Sequence, residues 1–268
     1  MMDLVVAGGT TGMGRALADH YLARGARVTV IGSNASRGET FLRDAATDRA
    51  AFVQADLTSV AENRRAMKEI RARHDSLDVL ALTALRHFPK RVVTPDGFEG
   101  VLSLYYVSRF LLSHGLTDLL EKGTAPIIVN ICGVGTTKGE IRWNDLSLTN
   151  GYGPIKAMLQ GGRAADLQGV AYPLAHPNGR TRYLLHHPGF TDSGTDSLTQ
   201  PAKTAIKLLA RLFAQSPEKA VAPIIDLIDN QPEGRLLAYD RRTPVDPSLR
   251  TLDRAHALRL YRKTSHLL

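Results

Sequence analysis

The sequence predicts an α/β protein built on a doubly wound parallel sheet, with about seven strands and helices on both faces. Three observations carry that expectation. Short runs rich in Val, Ile and Leu alternate with longer stretches of helical spacing over most of the 268 residues. The first run, Leu4-Val5-Val6-Ala7, contains no polar residue, as suits a strand buried on both faces. It passes through Gly8-Gly9-Thr10-Thr11-Gly12-Met13-Gly14 straight into helical spacing from Arg15 to Leu22. The length suffices for one full core, and no repeat, low-complexity tract or linker divides it, so one domain over 1–268 is expected.

The glycine stretch explains the first turn and suggests a ligand. Gly8, Gly12 and Gly14 permit positive φ and let a ligand approach closer than any Cβ would allow. The helix that follows presents unpaired N–H groups and a partial positive charge, a fit for a pyrophosphate. The spacing is G-x3-G-x-G, in a Rossmann-type setting of strand, turn and helix. Gly8, Thr10, Thr11, Gly12, Met13 and Gly14 are therefore candidate cofactor contacts. Ala26 to Ile31 forms the second strand, and Gly32-Ser33-Asn34-Ala35-Ser36-Arg37 follows it. No carboxylate stands there to repel a 2′-phosphate, whereas Ser33, Asn34 and Arg37 can donate to one, so NADP(H) is expected over NAD.

The remaining elements follow in order. Ala51 to Thr58 reads as a third strand with Asp56 and Leu57 near its end, where ligands sit, and Thr58 with Glu62 suits the next helix start. Leu77 to Thr83 is the fourth strand. A helix is expected from about Asp96 to Glu121, with Phe98, Leu102, Tyr105, Arg109 and Leu112 in one stripe. Ile127 to Ile131 is the fifth strand, and residues 150–168 suit a helix that Gly161-Gly162 weaken by about 1 kcal/mol each. Arg182 to Leu185 is the sixth strand, ended by His186-His187-Pro188-Gly189. The polar stretch 190–200 begins a lid expected over about 190–229, with helices near 201–214 and 217–229. Arg235 to Tyr239 is the seventh strand, and 251–265 a final helix.

Composition narrows the function. One cysteine, Cys132, excludes an internal disulfide framework and a cysteine-built zinc site, and favours a reducing, cytoplasmic setting. No run approaches a membrane span, and the N-terminus enters a strand at once instead of showing the pattern of a signal peptide. The net charge of +8 is spread over 34 basic and 26 acidic residues without a basic arm, so no nucleic-acid partner is expected. His186 and His187 are adjacent on a strand and point to opposite faces, which argues against a metal. Asp192-Ser193-Gly194 lacks the strand–turn–helix setting of a nucleophilic serine.

Tyr152 and Lys156 stand four apart where the helix after the fifth strand should start, which puts both on one face. A nearby ammonium favours the phenolate and brings a tyrosine toward acid–base work at neutral pH. Together with Gly8-x3-Gly12-x-Gly14, Asp56 and Pro188-Gly189, this pair makes the chain resemble the short-chain dehydrogenase/reductase family over nearly its whole length. Thr94-Pro95-Asp96-Gly97-Phe98-Glu99 and the ending Asp253 to Tyr261 resemble the branch of retinol dehydrogenases and protochlorophyllide reductases. The resemblance implies that the glycines hold the pyrophosphate, Asp56 the adenine and Lys156 the nicotinamide ribose. It makes Tyr152 the proton donor to a substrate oxygen and places Pro188, Gly189, Thr191 and Ser193 near the nicotinamide.

Three departures stand beside these matches. The family's catalytic serine falls on Gly133, its helix asparagine on Tyr105, and its Asn-Asn-Ala-Gly reads Leu82-Thr83-Ala84-Leu85. Thr136 or Thr137 is a candidate replacement for the serine. Two functions fit: reduction of a small or medium apolar ketone or enone with Tyr152 as donor, or a redox-inactive NADP(H)-binding protein with a decayed relay. The resemblance also implies a homodimer or homotetramer, paired through the helices that carry Tyr105 and Tyr152.

Overall fold

The computed structural model describes residues 1–189 and 215–268. Among these residues eight strands form one sheet: β1 (Asp3–Ala7), β2 (Arg27–Gly32), β3 (Ala50–Gln54), β4 (Val79–Leu82), β5 (Ile127–Ile131), β6 (Arg182–His187), β7 (Leu236–Asp240) and β8 (Thr243–Pro244). Their order is β3-β2-β1-β4-β5-β6-β7-β8, and only β8 runs antiparallel. Seven parallel strands match the expected number. The eighth is a two-residue edge piece whose Pro244 cannot extend a ladder, which is why no strand signal marks it.

The chain winds from β1 outward to β3 and then returns to β4 on the other side of β1. That reversal opens a crevice at the carboxyl ends of β1 and β4, where ligands bind in open α/β sheets. The alternation of side chains separates two cores. On one face, α1 (Gly12–Ala23), α2 (Ala35–Ala45) and α8 (Pro217–Asn230) bury Leu17, Phe41 and Ile224 against Val6, Val30 and Val129. On the other, α3 (Val60–Arg73), α5 (Ser108–Gly115), α7 (Pro154–Ala175) and α9 (Arg254–Ser265) bury Ile70, Leu112, Leu167 and Leu260 against Val5, Leu80 and Ile128.

Several boundaries differ from expectation, each for a local reason. The third strand stops at Gln54, because Asp56 accepts from Thr58 N and Oγ1 and turns the chain. Ser59, not Thr58, caps α3 by accepting from Glu62 N. The helix expected from Asp96 begins at Gly100. Gly97 at φ +82° makes a turn, Glu99 caps Val101 and Leu102, and Asp96 instead accepts from Val60 N at the start of α3. That helix is also broken: α4 (Gly100–Leu102) passes into a π-helical turn at Ser103–Val107, then α5, then α6 (Thr117–Leu120). Strand β6 runs on through His187.

The helix expected over 150–168 starts later, at Pro154. Gly153 before it is extended at φ −155°, as the residue preceding a proline prefers, so Tyr152 lies outside the helix. Of the expected lid, residues 217–230 form α8, which packs its buried face on α1. The part at 190–214, with the helix near 201–214, lies outside the described residues.

Helix α7 is buried on all sides from Arg163 to Tyr172. The sheet covers one side, and α9 lies across the outside. Tyr261 of α9 meets Phe110 of α5 at 5.6 Å, and Tyr106 Oη and Thr264 Oγ1 are 2.7 Å apart. α9 thus lies against the helical layer through which pairing is expected. Among the described residues no helix is long and apolar enough to cross a membrane.

Candidate active site at the carboxyl edge of the sheet

The glycine turn is shaped by close backbone approach. Gly8 has φ +85°, and a Cβ there would lie 2.6 Å from Ala84 Cα. A Cβ on Gly14 would lie 2.4 Å from both Gly8 O and Thr83 Oγ1. Gly12, at φ +57°, opens α1. Thr83 ties the turn to β4, donating its hydroxyl to Ala7 O at 2.8 Å and its amide to the same oxygen at 2.9 Å. The N-cap of α1, Thr11, makes no side-chain cap, and no acid stands in the first turn. The first N–H groups of α1 thus keep their capacity for an anion. Thr10 lines the turn beside Gly32, whereas the Met13 side chain is buried in the core and offers the crevice only its backbone.

The ends of β2 and β3 hold the next group. Ser33, Asn34 and Arg37 are exposed. Asn34 Oδ1 accepts from Arg37 N at 2.9 Å and so caps α2, whose first turn also lacks an acid. Gln54 Nε2 reaches Ser33 O at 3.4 Å. Asp56 is exposed beside this edge while Leu57 is buried at 5 % exposure, so Leu57 adds a wall, not a polar contact.

The structure does not bring the Tyr152 hydroxyl and the Lys156 ammonium to each other. Tyr152 Oη donates to Phe88 O at 3.0 Å, on the segment after β4. Lys156 is exposed and donates Nζ to Gly151 O at 2.5 Å. Partial burial and the buried Glu99 carboxyl push the Tyr152 phenol above its ordinary range, with Arg91 opposing. The expected lowering by Lys156 is therefore corrected: a residue two places before the helix does not share the face of one in its first turn. The Gly153-Pro154 pair is the sequence signal for that break. Lys156 instead lines a cavity of about 610 Å³ with Ile141, Arg142, Pro154, Ile155 and Leu159.

Behind the expected relay lies a side chain that sequence reasoning assigned only to a helix stripe. Arg109 is 3 % exposed, and its guanidinium donates to Asn130 Oδ1, to Ile131 O at 2.6 Å and to Ala84 O at 3.1 Å. It thereby joins the carboxyl ends of β4 and β5. Its charge stacks over the Tyr105 ring at 4.9 Å. Tyr105 Oη is buried with no partner among the described residues, and burial pushes that phenol up to about 12. Gly133 stands at the end of β5 beside Thr136, whose Oγ1 accepts from Lys138 N at 3.4 Å; Thr136 and Thr137 are both exposed.

The model of the short chain dehydrogenase family matches residues 3–146. This stretch holds the glycine turn, the crevice and β1 to β5, and is more than half of the chain. The chain belongs to the short-chain dehydrogenase family. It is 28% identical to human polyprenol dehydrogenase (Homo sapiens) over 165 residues, covering 58% of this chain and 50% of that one. With retinol dehydrogenase 12 of Bos taurus it shares 28% identity over 147 residues, 53% of this chain and 46% of the relative. The chain thus spans about half the length of these curated relatives. An NADPH-bound carbonyl reductase from chicken fatty liver has the same fold, with a TM-score of 0.69 at 16% identity over 92% of this chain and 98% of that one.

The family-model match to this short-chain dehydrogenase family member ends before Tyr152 and Lys156. Beyond it, β6 delivers Pro188 and Gly189 to the same edge. Gly189 has φ +79°, and Arg241 leans against it, with Cδ 3.2 Å from where a Cβ would sit. Thr191 and Ser193 lie outside the described residues. A second feature here escaped the sequence: His187 Nδ1 lies 3.1 Å from Asp240 Oδ1.

Proposed function

We propose that the protein is an NADP(H)-dependent oxidoreductase that reduces a small or medium apolar ketone or enone. The observation that carries this reading is the glycine cradle. Two positions where a Cβ would strike backbone, followed by a helix start without a side-chain cap, fit a pyrophosphate. Gly8, Thr10, Thr11, Gly12, Met13 and Gly14 would hold it. Asp56 and Leu57 would border the adenine, and Pro188 and Gly189, with Thr191 and Ser193, the nicotinamide. Ser33, Asn34 and Arg37, at a helix start without an acid, suit a 2′-phosphate and so NADP(H) over NAD(H). The cofactor, when bound, supplies a hydride. Tyr152 would carry the proton, which requires its hydroxyl to exchange Phe88 O for the substrate oxygen. Lys156 would hold the ribose after leaving Gly151 O.

The two bonds that Tyr152 and Lys156 already make favour a second reading, a redox-inactive NADP(H)-binding protein. Enhanced NADPH fluorescence on binding, followed by NADPH consumption over ketones, quinones and enones, separates the two. Turnover that disappears in Tyr152→Phe with binding intact supports the reductase. Micromolar binding without turnover of any substrate supports the binder. Ser33→Asp with Arg37→Ala should weaken NADPH relative to NADH by at least tenfold; an unchanged ratio refutes the cofactor assignment.

A further inference from the structure

His187 and Asp240 are the last residues of β6 and β7 and are register partners across the parallel pair. His187 lies on the sheet face that carries α7. Leu185, two residues earlier, meets α7 at Gly169, and Leu236 and Ala238 alternate with Asp240 onto the same core. Ile131 pairs with His186 and Cys132 N donates to His186 O, so Cys132 is the β5 neighbour of His187, and Gly133 follows it directly. The loop after β5 approaches Asp240, and a Cβ on Gly135 would lie 3.6 Å from Asp240 Cβ. The imidazole is 38% exposed. A half-open histidine, fixed at Nδ1 by a carboxylate, thus borders the position where the chain lacks a side-chain hydroxyl.

We propose that His187, oriented by Asp240, donates Nε2–H to the substrate oxygen in the place that Gly133 leaves empty. The proposal rests on the oxidoreductase reading. Nδ1–H directed at the carboxylate leaves Nε2 a donor only in the charged ring, so the donor is lost as pH rises. In the reduction, a bound dihydronicotinamide would supply a hydride, hydrogen with its electron pair, to the carbonyl carbon and be left oxidised. The C=O π pair would move to oxygen, which would take the Tyr152 proton, and water would reprotonate the phenol. Among the described residues, the charged and titratable groups facing His187 are few. Asp240 also accepts from Arg241 Nε at 3.2 Å, and His186 lies on the opposite face, where burial pushes it down to about 4. Cys132 of β5 is buried, which raises its thiol and keeps it neutral.

Benzoate, an apolar ring with an anionic oxygen that stays ionised near neutrality, is the probe. Its affinity is measured by calorimetry with and without NADP⁺, at about pH 6 and about pH 8. Wild type should bind about tenfold more weakly at the higher pH. His187→Gln, which keeps an N–H but cannot titrate, should lose that dependence, and Asp240→Asn should reduce it. A contribution from Arg241 would not vary over this range. In turnover, His187→Ala should cost about 10²-fold, the usual size for an oxyanion donor. Circular dichroism melts and NADPH binding of each variant report folding independently. The same pH dependence in His187→Gln as in wild type, or no benzoate binding by wild type, overturns the proposal. Failure of NADPH to bind overturns the oxidoreductase reading instead, while the benzoate arm without NADP⁺ still judges His187.

Discussion

The two halves of the sheet's carboxyl edge are built in different ways. Around β1, α1 and β4 the edge is backbone: glycines pressed against Ala84 and Gly8 O, with helix amides left for an anion. Around β5, α7 and β6 the edge is side chains that already have acceptors, Tyr152 on Phe88 O, Lys156 on Gly151 O and Arg109 on Ile131 O. A backbone cradle depends on a few glycines and survives drift in its neighbours. A proton relay depends on several side chains pointing at one atom, and each departure redirects the rest.

The largest expected effect tests the cradle. Gly14→Val places atoms within contact of Gly8 O and Thr83, and should abolish NADPH binding, a loss of at least 10²-fold by fluorescence titration. Tyr152→Phe should leave that affinity within about twofold. Equal losses in both variants would erase the contrast between the two halves.

Arg109→Leu comes next. It strands a buried acceptor at Asn130 and half-buried ones at Ile131 and Ala84, and a buried one costs about 1–3 kcal/mol when unmet, so the chain should lose roughly 3 kcal/mol in urea unfolding. A loss below about 1 kcal/mol would mean that Arg109 does not hold β4 to β5.

Most of the sheet was legible in the sequence because a strand buried on both faces has few alternatives. Leu4 to Ala7 is an apolar run of strand length, Val28 to Ile31 and Ile127 to Ile131 are apolar but for Thr29 and Asn130, and all lie where expected. The glycine turn was legible for a related reason, since its requirement is the absence of a Cβ. The site's second half was not. Spacing places Tyr152 and Lys156 four apart in the chain, but Gly153-Pro154 decides that the helix begins between them. Arg109 read as a stripe residue because periodicity reports which face is buried, not what a buried guanidinium bonds. His187 and Asp240 are 53 residues apart, and only the register of β6 with β7 joins them.

A pH experiment sharpens the comparison from inside the second half. Asp166 of α7 is buried, and burial pushes its carboxyl up to about 7 although Arg163 Nη1 lies 2.9 Å away. The folded chain therefore holds a proton that the unfolded chain releases near pH 4. Asp166's contribution to stability is full below about pH 4 and is lost as pH rises through about 7. Burial holds His114 at about 3, so its contribution runs the other way, lost as pH falls below about 6.5. Subtracting the Asp166→Asn unfolding curve from wild type isolates the carboxyl, and the difference should shrink in the alkaline direction. A difference independent of pH would place the Asp166 carboxyl at its ordinary value.

The smallest effect concerns the outer cover. Tyr106 Oη donates to Thr264 Oγ1, since that hydroxyl itself donates to Leu260 O. Tyr106→Phe should cost only about 1 kcal/mol and leave α9 docked. Leu260, at 1 % exposure, anchors the same helix, and Leu260→Asp should undock it and bare the apolar flanks of α5 and α7. Wild type should then run as a single chain of 29.2 kDa in light scattering, with self-association only in Leu260→Asp. A wild-type dimer whose interface crosslinks through α5 and α7 would mean that α9 leaves this face open. In that case the two halves of the edge would differ in chemistry but not in how the fold shields them.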